Sequence, residues 1–127
     1  YMSKILLIED DPTMQQLYKR AFVLAGDEIT IANDGIEGLE KVKLSTPDLI
    51  FLDIMMPKMN GTELLSILKN EESTKHIPVV MLTNVASGTL KTAEEAVNNG
   101  AISYIIKSDH DPKELVELAR KVLRSLG

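Results

Sequence analysis

The stretch ILLIEDDP, residues 5–12, leads from an apolar run of strand-like composition directly into three acidic residues. Two later runs end in a similar way: LIFLD, residues 49–53, stops at Asp53, and YIIK, residues 104–107, stops at Lys107. If these strands lie parallel and side by side, their terminal charges meet at one edge of one sheet. Carboxylates packed together repel and resist ionising. We therefore expect a cation, a lysine or an incoming ligand to offset that cost.

The rest of the chain alternates strand-like and helix-like patterns from end to end. The predicted strands cover residues 5–8, 29–31, 48–53, 78–83 and 102–107, and a predicted helix follows each of them. This alternation builds right-handed parallel crossovers with helices on both faces of a buried sheet. The sequence therefore predicts an α/β, flavodoxin-like (βα)5 fold. Its doubly wound, five-stranded parallel sheet has the order 2-1-3-4-5, and ligands bind between the first and third strands.

The first and last helices have the clearest start signals. Asp11-Pro12 and the segment 111–114 each place a capping residue before a proline, which is typical of a helix N-terminus. Gly26 is expected to end the first helix. The predicted apolar face of the first helix comprises Met14, Leu17, Tyr18, Ala21, Phe22 and Ala25, and that of the last comprises Leu115, Leu118, Ala119, Val122 and Leu126.

Composition indicates an ordinary globular chain of 127 residues, 44% hydrophobic and 26% charged. We predict one domain over residues 2–127, and we interpret Tyr1, ahead of Met2, as an addition to the natural sequence. The net charge of -5 argues against direct nucleic-acid binding. The absence of cysteine excludes disulfides and zinc–thiolate sites. No apolar stretch approaches the roughly 18 residues of a membrane span, and we expect a cytoplasmic protein that does not bind membranes.

The acidic residues fall where this fold binds ligands. Oxygen atoms of Glu9, Asp10 and Asp53 suit a hard divalent ion. We expect this ion to be Mg²⁺, with Mn²⁺ as the alternative. The backbone carbonyl of Met55, just past the third strand, would complete the set. The sequence therefore predicts a metal site at this edge of the sheet.

Asp53 is the best candidate nucleophile toward a phosphorus atom, because it is a single acid at a strand end. Glu9 and Asp10 form a pair that is better suited to holding metal. Lys107 would bring an ammonium to the phosphoryl oxygens, and Thr83, at the end of the fourth strand, would donate a hydroxyl hydrogen bond.

Over essentially its whole length the chain resembles the receiver domains of two-component response regulators. The matching pieces are Glu9-Asp10 after the first strand, Asp53 after the third, the loop 56–61, Thr83 after the fourth strand, and Tyr104 and Lys107 in the fifth.

The resemblance implies that Asp53 accepts a phosphoryl group from a phosphohistidine on a sensor histidine kinase or a histidine phosphotransferase, with Mg²⁺. Asp10 would be a direct metal ligand and Glu9 a mainly water-mediated one. Thr83 and Tyr104 would form a switch pair that remodels the face of the fourth helix, fifth strand and fifth helix. That face would control an unknown downstream protein or effector domain. The domain would be a monomer or a phosphorylation-dependent dimer, and it would catalyse only its own phosphorylation and slow dephosphorylation.

Two positions near the proposed site depart from the family pattern. Ser108 follows Lys107 where the family usually has a proline in a cis peptide. A cis bond without proline costs about 3 kcal/mol, so either the loop holds that strain or the bond is trans. Asn84 follows Thr83 where a small residue is common, and its amide would either narrow access to the site or add a hydrogen bond.

Two apolar residues predict a long-lived phosphoryl group. Met55 and Val85 stand two positions beyond Asp53 and Thr83, where polar side chains in the family help to orient the hydrolytic water. We therefore predict a slow intrinsic loss of phosphate.

The residues leave three other functions open. An aspartate-nucleophile phosphatase typically has a second aspartate where Met55 stands. A flavin- or nucleotide-binding domain would need a glycine-rich phosphate loop, and none follows the first strand. A receiver-like interaction module that accepts no phosphate is favoured only by Asn84 and Ser108. His76 and His110 have no ligand spacing and are interpreted as loop histidines.

Overall fold

The computed structural model describes residues 2–84 and 88–126. All five strands are parallel, in the order β2-β1-β3-β4-β5, so the predicted doubly wound, flavodoxin-like fold is confirmed. The elements are β1 (Lys4–Ile8), α1 (Pro12–Leu24), β2 (Glu28–Ala32), α2 (Gly35–Leu44), β3 (Leu49–Asp53), α3 (Gly61–Asn70), β4 (Val79–Thr83), α4 (Leu90–Asn98), β5 (Ser103–Ile106), a short 3₁₀ helix (Lys107–Asp109) and α5 (Pro112–Leu126).

The strand register places the carboxyl ends of the central strands side by side. Ile8 at the end of β1 pairs with Leu52 of β3. Asp53 at the end of β3 pairs with Leu82 of β4. Residues that follow β1, β3 and β4 therefore meet at one edge of the sheet, at the point where the direction of winding reverses.

The sheet is buried between two helical layers. Side chains of a strand alternate between its faces, so Phe51 packs with α1 and α5 while its neighbour Leu52 packs with α2, α3 and α4. Both faces of β1, β3 and β4 are thus apolar, which explains their continuous hydrophobic runs. Lys4 at the start of β1 and Asp48 just before β3 lie at the opposite edge, and every other charged residue on or directly beside these three strands, among the residues that the structure describes, stands at the carboxyl edge.

Side-chain caps fix the two helix starts that the sequence predicts. Asp11 Oδ1 accepts a hydrogen bond from the Thr13 backbone N at 2.9 Å, and Pro12 is the first residue of α1. At α5, Asp111 Oδ1 accepts from the Glu114 N at 3.1 Å, and Glu114 Oε1 accepts from the Asp111 N at 3.2 Å. These bonds satisfy N–H groups that a first helical turn leaves without partners.

The buried stripe of α1 differs from the predicted face. Gln15, Tyr18 and Phe22 are buried, whereas Leu17 is 47% exposed. The buried positions recur at i, i+3 and i+7, which is one narrow stripe of a helix, and Leu17 falls beside it. In α5, Leu126 is 57% exposed because it lies in the last turn, beyond the end of the core.

Three predicted strands are shorter than expected at their ends. The fourth begins at Val79, because Pro78 has no N–H to donate to a neighbouring strand. The third begins at Leu49, because Asp48 is used instead to accept a hydrogen bond from the Lys4 backbone N at 2.8 Å. The fifth spans Ser103–Ile106, and Lys107 opens the 3₁₀ helix. Lys107 is therefore the first residue beyond the strand.

The helices of this fold are short. The longest in the described ranges, α5, has 15 residues, and no helix there has the length and apolar character needed to cross a membrane.

Candidate functional site

Three carboxylates meet at the carboxyl edge of the sheet. Glu9 follows β1, Asp53 ends β3, and Asp10 lies next to Glu9; one oxygen from each lies within 4.8 Å of the others. Glu9 and Asp53 are buried, with 0% and 5% of their surface exposed, while Asp10 is open to solvent. The arrangement is a partly buried acidic cluster with one exposed member.

Lys107 links the two buried acids. Its Nζ lies 2.8 Å from Glu9 Oε1 and 3.2 Å from Asp53 Oδ2. The lysine reaches inward from the first residue after β5, and only 15% of its side chain is exposed. The structure therefore brings the predicted strand-end charges of β1, β3 and β5 together.

The pKa values of these groups reflect their crowding. Burial, and then the charge of Asp53, raise the pKa of Glu9, although the hydrogen bond from Lys107 partly opposes the shift. Partial desolvation, and next to it the charge of Glu9, raise the pKa of Asp10. Burial disfavours the Lys107 ammonium, but its hydrogen bond to Glu9 and the charge of Asp53 outweigh that effect and raise its pKa. The cluster thus has more negative charge than a single lysine offsets.

A buried glutamine holds the loop that contains Glu9. Gln15 Nε2 donates to the Glu9 backbone O at 2.6 Å and to Asn33 Oδ1 at 2.8 Å. The Asn33 amide in turn donates to a carboxylate oxygen of Glu37 at 3.1 Å. Sequence reasoning missed Gln15. Gln15 stands three residues before Tyr18 and seven before Phe22, so helical periodicity places all three on one face. This spacing was the signal that could have predicted a buried glutamine.

The loop after β3 approaches the site closely. The Met55 backbone N donates to Asp53 Oδ1 at 3.4 Å, and the Met55 side chain is largely exposed. Gly61 lies so near that a Cβ there would be 2.3 Å from the Asp53 backbone O. Only glycine therefore fits at this position without moving the end of β3.

The predicted switch residues lie on the neighbouring strands. Thr83 is fully buried at the end of β4, and its hydroxyl is hydrogen bonded to the hydroxyl of Thr89, just before α4. Tyr104 is half-buried on β5 and packs against the core cluster of α2, α3 and α4.

The structure describes Ser108 and Asn84, the two residues that depart from the family pattern. No cis peptide bond occurs in the described ranges, so the Lys107–Ser108 bond is trans and Lys107 reaches the acids from the 3₁₀ helix. Asn84 is exposed. Val85 lies outside the described residues. His76 and His110 are exposed, and His110 Nδ1 is 2.8 Å from Glu114 Oε2.

The donor set fits a hard divalent cation. Mg²⁺ and Mn²⁺ prefer carboxylate, carbonyl and water oxygens, and Mg²⁺ is commonly held by one or two carboxylates while it keeps several waters. Glu9, Asp10 and Asp53 supply carboxylate oxygens at one point, and the exposure of Asp10 leaves room for water. Burial is the main cause of the raised pKa of Glu9 and Asp10, and a cation at this point would relieve the repulsion between carboxylates that adds to it.

A parallel sheet with acids at the ends of β1 and β3 and a lysine just after β5 is the arrangement expected of a receiver domain, and comparison with known proteins agrees. The family model of the response regulator receiver domain matches residues 5–120. The chain belongs to this family, whose members act in two-component signal transduction.

Similar proteins place such a domain in different settings. The DNA-binding dual master transcriptional regulator RpaA of Synechocystis is 37% identical over 123 residues, which are 97% of this chain and 50% of that protein. The hybrid signal transduction histidine kinase D of Dictyostelium discoideum is 37% identical over 108 residues, which are 81% of this chain and 6% of that protein. The structure of the chemotaxis response regulator CheY4 of Vibrio cholerae has a TM-score of 0.83 and 30% identity, covering 96% of this chain and 99% of that one. The chain thus spans about half the length of RpaA.

Proposed function

We propose that this receiver domain accepts a phosphoryl group on Asp53 from a phosphohistidine of a sensor histidine kinase or a histidine phosphotransferase. The observation that supports this most is the setting of Asp53: a buried carboxylate at the end of β3, 3.2 Å from Lys107 Nζ and clustered with Glu9 and Asp10. A carboxylate acts as a nucleophile toward phosphorus when nearby cations neutralise the phosphoryl oxygens. Lys107 supplies one such cation.

In the proposed transfer, a carboxylate oxygen of Asp53 forms a bond to phosphorus while the bond between phosphorus and the histidine nitrogen breaks. The electron pair of that bond stays on the imidazole, which leaves neutral when its other nitrogen holds a proton. The Lys107 ammonium, which is shared between Glu9 and Asp53, would donate to a phosphoryl oxygen as a point charge. Thr83 would donate its hydroxyl to another oxygen.

The metal ligands we propose are Glu9, Asp10, Asp53 and the backbone carbonyl of Met55. Asp10 would bind directly, since it is the exposed member, and Glu9 mainly through water, since its Oε1 is bonded to Lys107. When bound, Mg²⁺ or Mn²⁺ neutralises charge on the phosphoryl oxygens.

The proposed output surface is the face of α4, β5 and α5. Tyr104 of β5 packs against the core cluster that includes Ala93 and Ala96 of α4, so an inward movement of its ring would change the shape of this face. A downstream protein, an attached effector domain or a second copy of this domain would then bind there. RpaA is named as a DNA-binding transcriptional regulator, and extending an output of that kind to this chain rests on analogy.

Intact-protein mass spectrometry tests the proposal. The protein is incubated with Mg²⁺ and acetyl phosphate, with EDTA in place of Mg²⁺ as a second condition. We expect one phosphoryl adduct on the parent with Mg²⁺, little with EDTA, and none on Asp53→Asn. Asp109→Asn is the matched control, because Asp109 is an exposed aspartate in the nearby 3₁₀ helix, and it should be labelled like the parent. No adduct on the parent, or an equal adduct on Asp53→Asn, would contradict the proposal.

A further inference from the structure

We propose that Thr89 is a positioning residue: in the resting domain its hydroxyl holds the Thr83 hydroxyl and competes with a phosphoryl group on Asp53 for it. The inference rests on the proposed function, because the competing acceptor is the phosphoryl group itself. It assigns a role to a residue that lies outside the predicted site and that acts through Thr83.

The geometry places the two hydroxyls together in the interior. Thr83 ends β4 with 0% of its surface exposed, and Thr89 precedes α4 with 6% exposed. Their Oγ1 atoms are hydrogen bonded to each other. A buried hydroxyl that loses its partner costs free energy, so this pair is a stable resting arrangement.

Two contacts of Thr89 with Asn84 favour Thr83 as the donor in the bond between the two hydroxyls. Thr89 Oγ1 donates to the Asn84 backbone O at 3.3 Å and accepts from the Asn84 backbone N at 3.4 Å. A threonine hydroxyl has one hydrogen and two acceptor lone pairs. In the arrangement that we propose, the Thr89 hydrogen is directed to the Asn84 backbone O, and Thr89 Oγ1 accepts the hydrogen of Thr83. That hydrogen is the one that Thr83 needs in order to donate to a phosphoryl oxygen.

Helix capping does not account for Thr89. It occupies the position before α4, but its φ of -92° and ψ of 5° are not the extended conformation of a capping residue, and its side chain makes no capping bond to that helix. The side chain instead turns back toward β4, where Thr83 and Asn84 lie.

Removal of the Thr89 hydroxyl should therefore favour the phosphoryl-bound arrangement. In Thr89→Val the shape of the side chain is kept, and the Thr83 hydroxyl is left in the interior without this acceptor. Binding of beryllofluoride with Mg²⁺, a stable mimic of the phosphoryl group on a carboxylate, would give Thr83 a partner again. We expect about fivefold tighter binding than in the parent, the size of one net hydrogen bond.

A double-mutant cycle separates this role from a merely structural one. Beryllofluoride affinity and thermal midpoint are measured, in the presence of Mg²⁺, for the parent, Thr89→Val, Thr83→Val and the double variant. We expect Thr89→Val to tighten binding when Thr83 is present and to have no effect when Thr83 is valine. Thr89→Ser keeps the hydroxyl and should behave like the parent. Thr92→Val, a partly buried threonine on α4, is the matched control and should also be unchanged.

The possible results separate the proposed role of Thr89 from the proposed phosphorylation of Asp53. Unchanged or weaker binding in Thr89→Val, or the same gain with and without Thr83, would overturn the role of Thr89 while leaving Asp53 as the acceptor. A parent that binds no beryllofluoride, or that binds it equally as Asp53→Asn, would overturn both. If Thr89→Val does not fold, Thr89→Ala is measured in its place against the same criteria.

Discussion

Two buried polar side chains on α1, Gln15 and Tyr18, differ in whether their hydrogen-bonding groups have partners. Gln15 donates both to the Glu9 backbone O and to Asn33 Oδ1. Tyr18 lies a turn further along the same stripe, and its hydroxyl is buried with no hydrogen-bond partner among the described residues. Burial, and then the charges of Glu9 and Asp53, raise the pKa of Tyr18. The first side chain supports the acidic loop, whereas the hydroxyl of the second costs stability.

Tyr18→Phe tests that cost. The change removes only the hydroxyl and keeps the ring, which packs in the core cluster of α1 and α5. An unsatisfied buried hydroxyl costs roughly 1–3 kcal/mol, so we expect the free energy of unfolding to rise by about 1 kcal/mol, measured by urea denaturation. A less stable variant would mean that the hydroxyl has a stabilising partner.

Gln15→Met tests whether Gln15 orients the loop that contains the proposed metal ligands Glu9 and Asp10. Methionine has a similar length but cannot donate to the Glu9 carbonyl, so the loop that contains Glu9 and Asp10 should lose its fixed orientation. We expect the Mg²⁺ concentration at half-maximal labelling by acetyl phosphate to rise severalfold, while the rate at saturating Mg²⁺ is unchanged. Gln16→Met is the matched control, because Gln16 is an exposed neighbour on α1. An equal Mg²⁺ requirement in both variants would show that Gln15 supports only the fold.

At the scale of elements, the strand ends were predictable and the contacts between loops were not. The carboxyl ends of parallel strands form one edge of the sheet. The charged residues that end ILLIED, LIFLD and YIIK were therefore enough to predict which side chains of β1, β3 and β5 meet. The partner of Thr83 depends on the path of the loop between β4 and α4, and nothing in the local pattern identifies Thr89.

The helix faces show the limit of periodicity. In α1 the apolar residues form a broad band, and the sequence alone does not tell which edge of the band meets the sheet. The structure selects the edge that includes Gln15 and excludes Leu17. A polar residue on the buried side is acceptable because its hydrogen bonds are satisfied.

Met55, in the loop between β3 and α3, is the basis for predicting how long Asp53 would keep a phosphoryl group. Met55 is exposed two residues beyond Asp53, and its thioether is a poor group for orienting water. We expect the phosphorylated domain to lose its phosphoryl group slowly, over minutes or longer, and Met55→Asn to lose it faster, as followed by intact mass after removal of acetyl phosphate. Loss from the parent within seconds would contradict this. Val85, the other apolar residue in that prediction, lies outside the described residues.

At the scale of the whole molecule, the acidic cluster makes stability depend on pH. The pKa of Glu9 is raised above its ordinary value of 4.5 in the folded state. Between 4.5 and the raised value the folded state binds more protons than the unfolded state, so the free energy of unfolding falls as pH rises through this window. Asp10 contributes in the same direction above 3.8.

Glu9→Gln isolates this effect. We expect urea denaturation without Mg²⁺ to show the parent losing stability relative to Glu9→Gln as pH rises above about 4.5, because only the parent must ionise the buried acid. Glu37→Gln is the contrasting control: Lys41 lowers the pKa of Glu37, so the parent should lose stability relative to that variant as pH falls below 4.5. Parallel profiles for the parent and Glu9→Gln would contradict the account of the cluster.

The central claim is that Asp53, rather than any neighbouring acid, accepts the phosphoryl group. After incubation with Mg²⁺ and acetyl phosphate, borohydride reduction converts an aspartyl phosphate to homoserine, which peptide mass spectrometry locates. We predict homoserine at position 53 and unmodified aspartates at 10 and 11. Homoserine at another position with Asp53 intact, or no reducible acyl phosphate on the domain, would contradict the account.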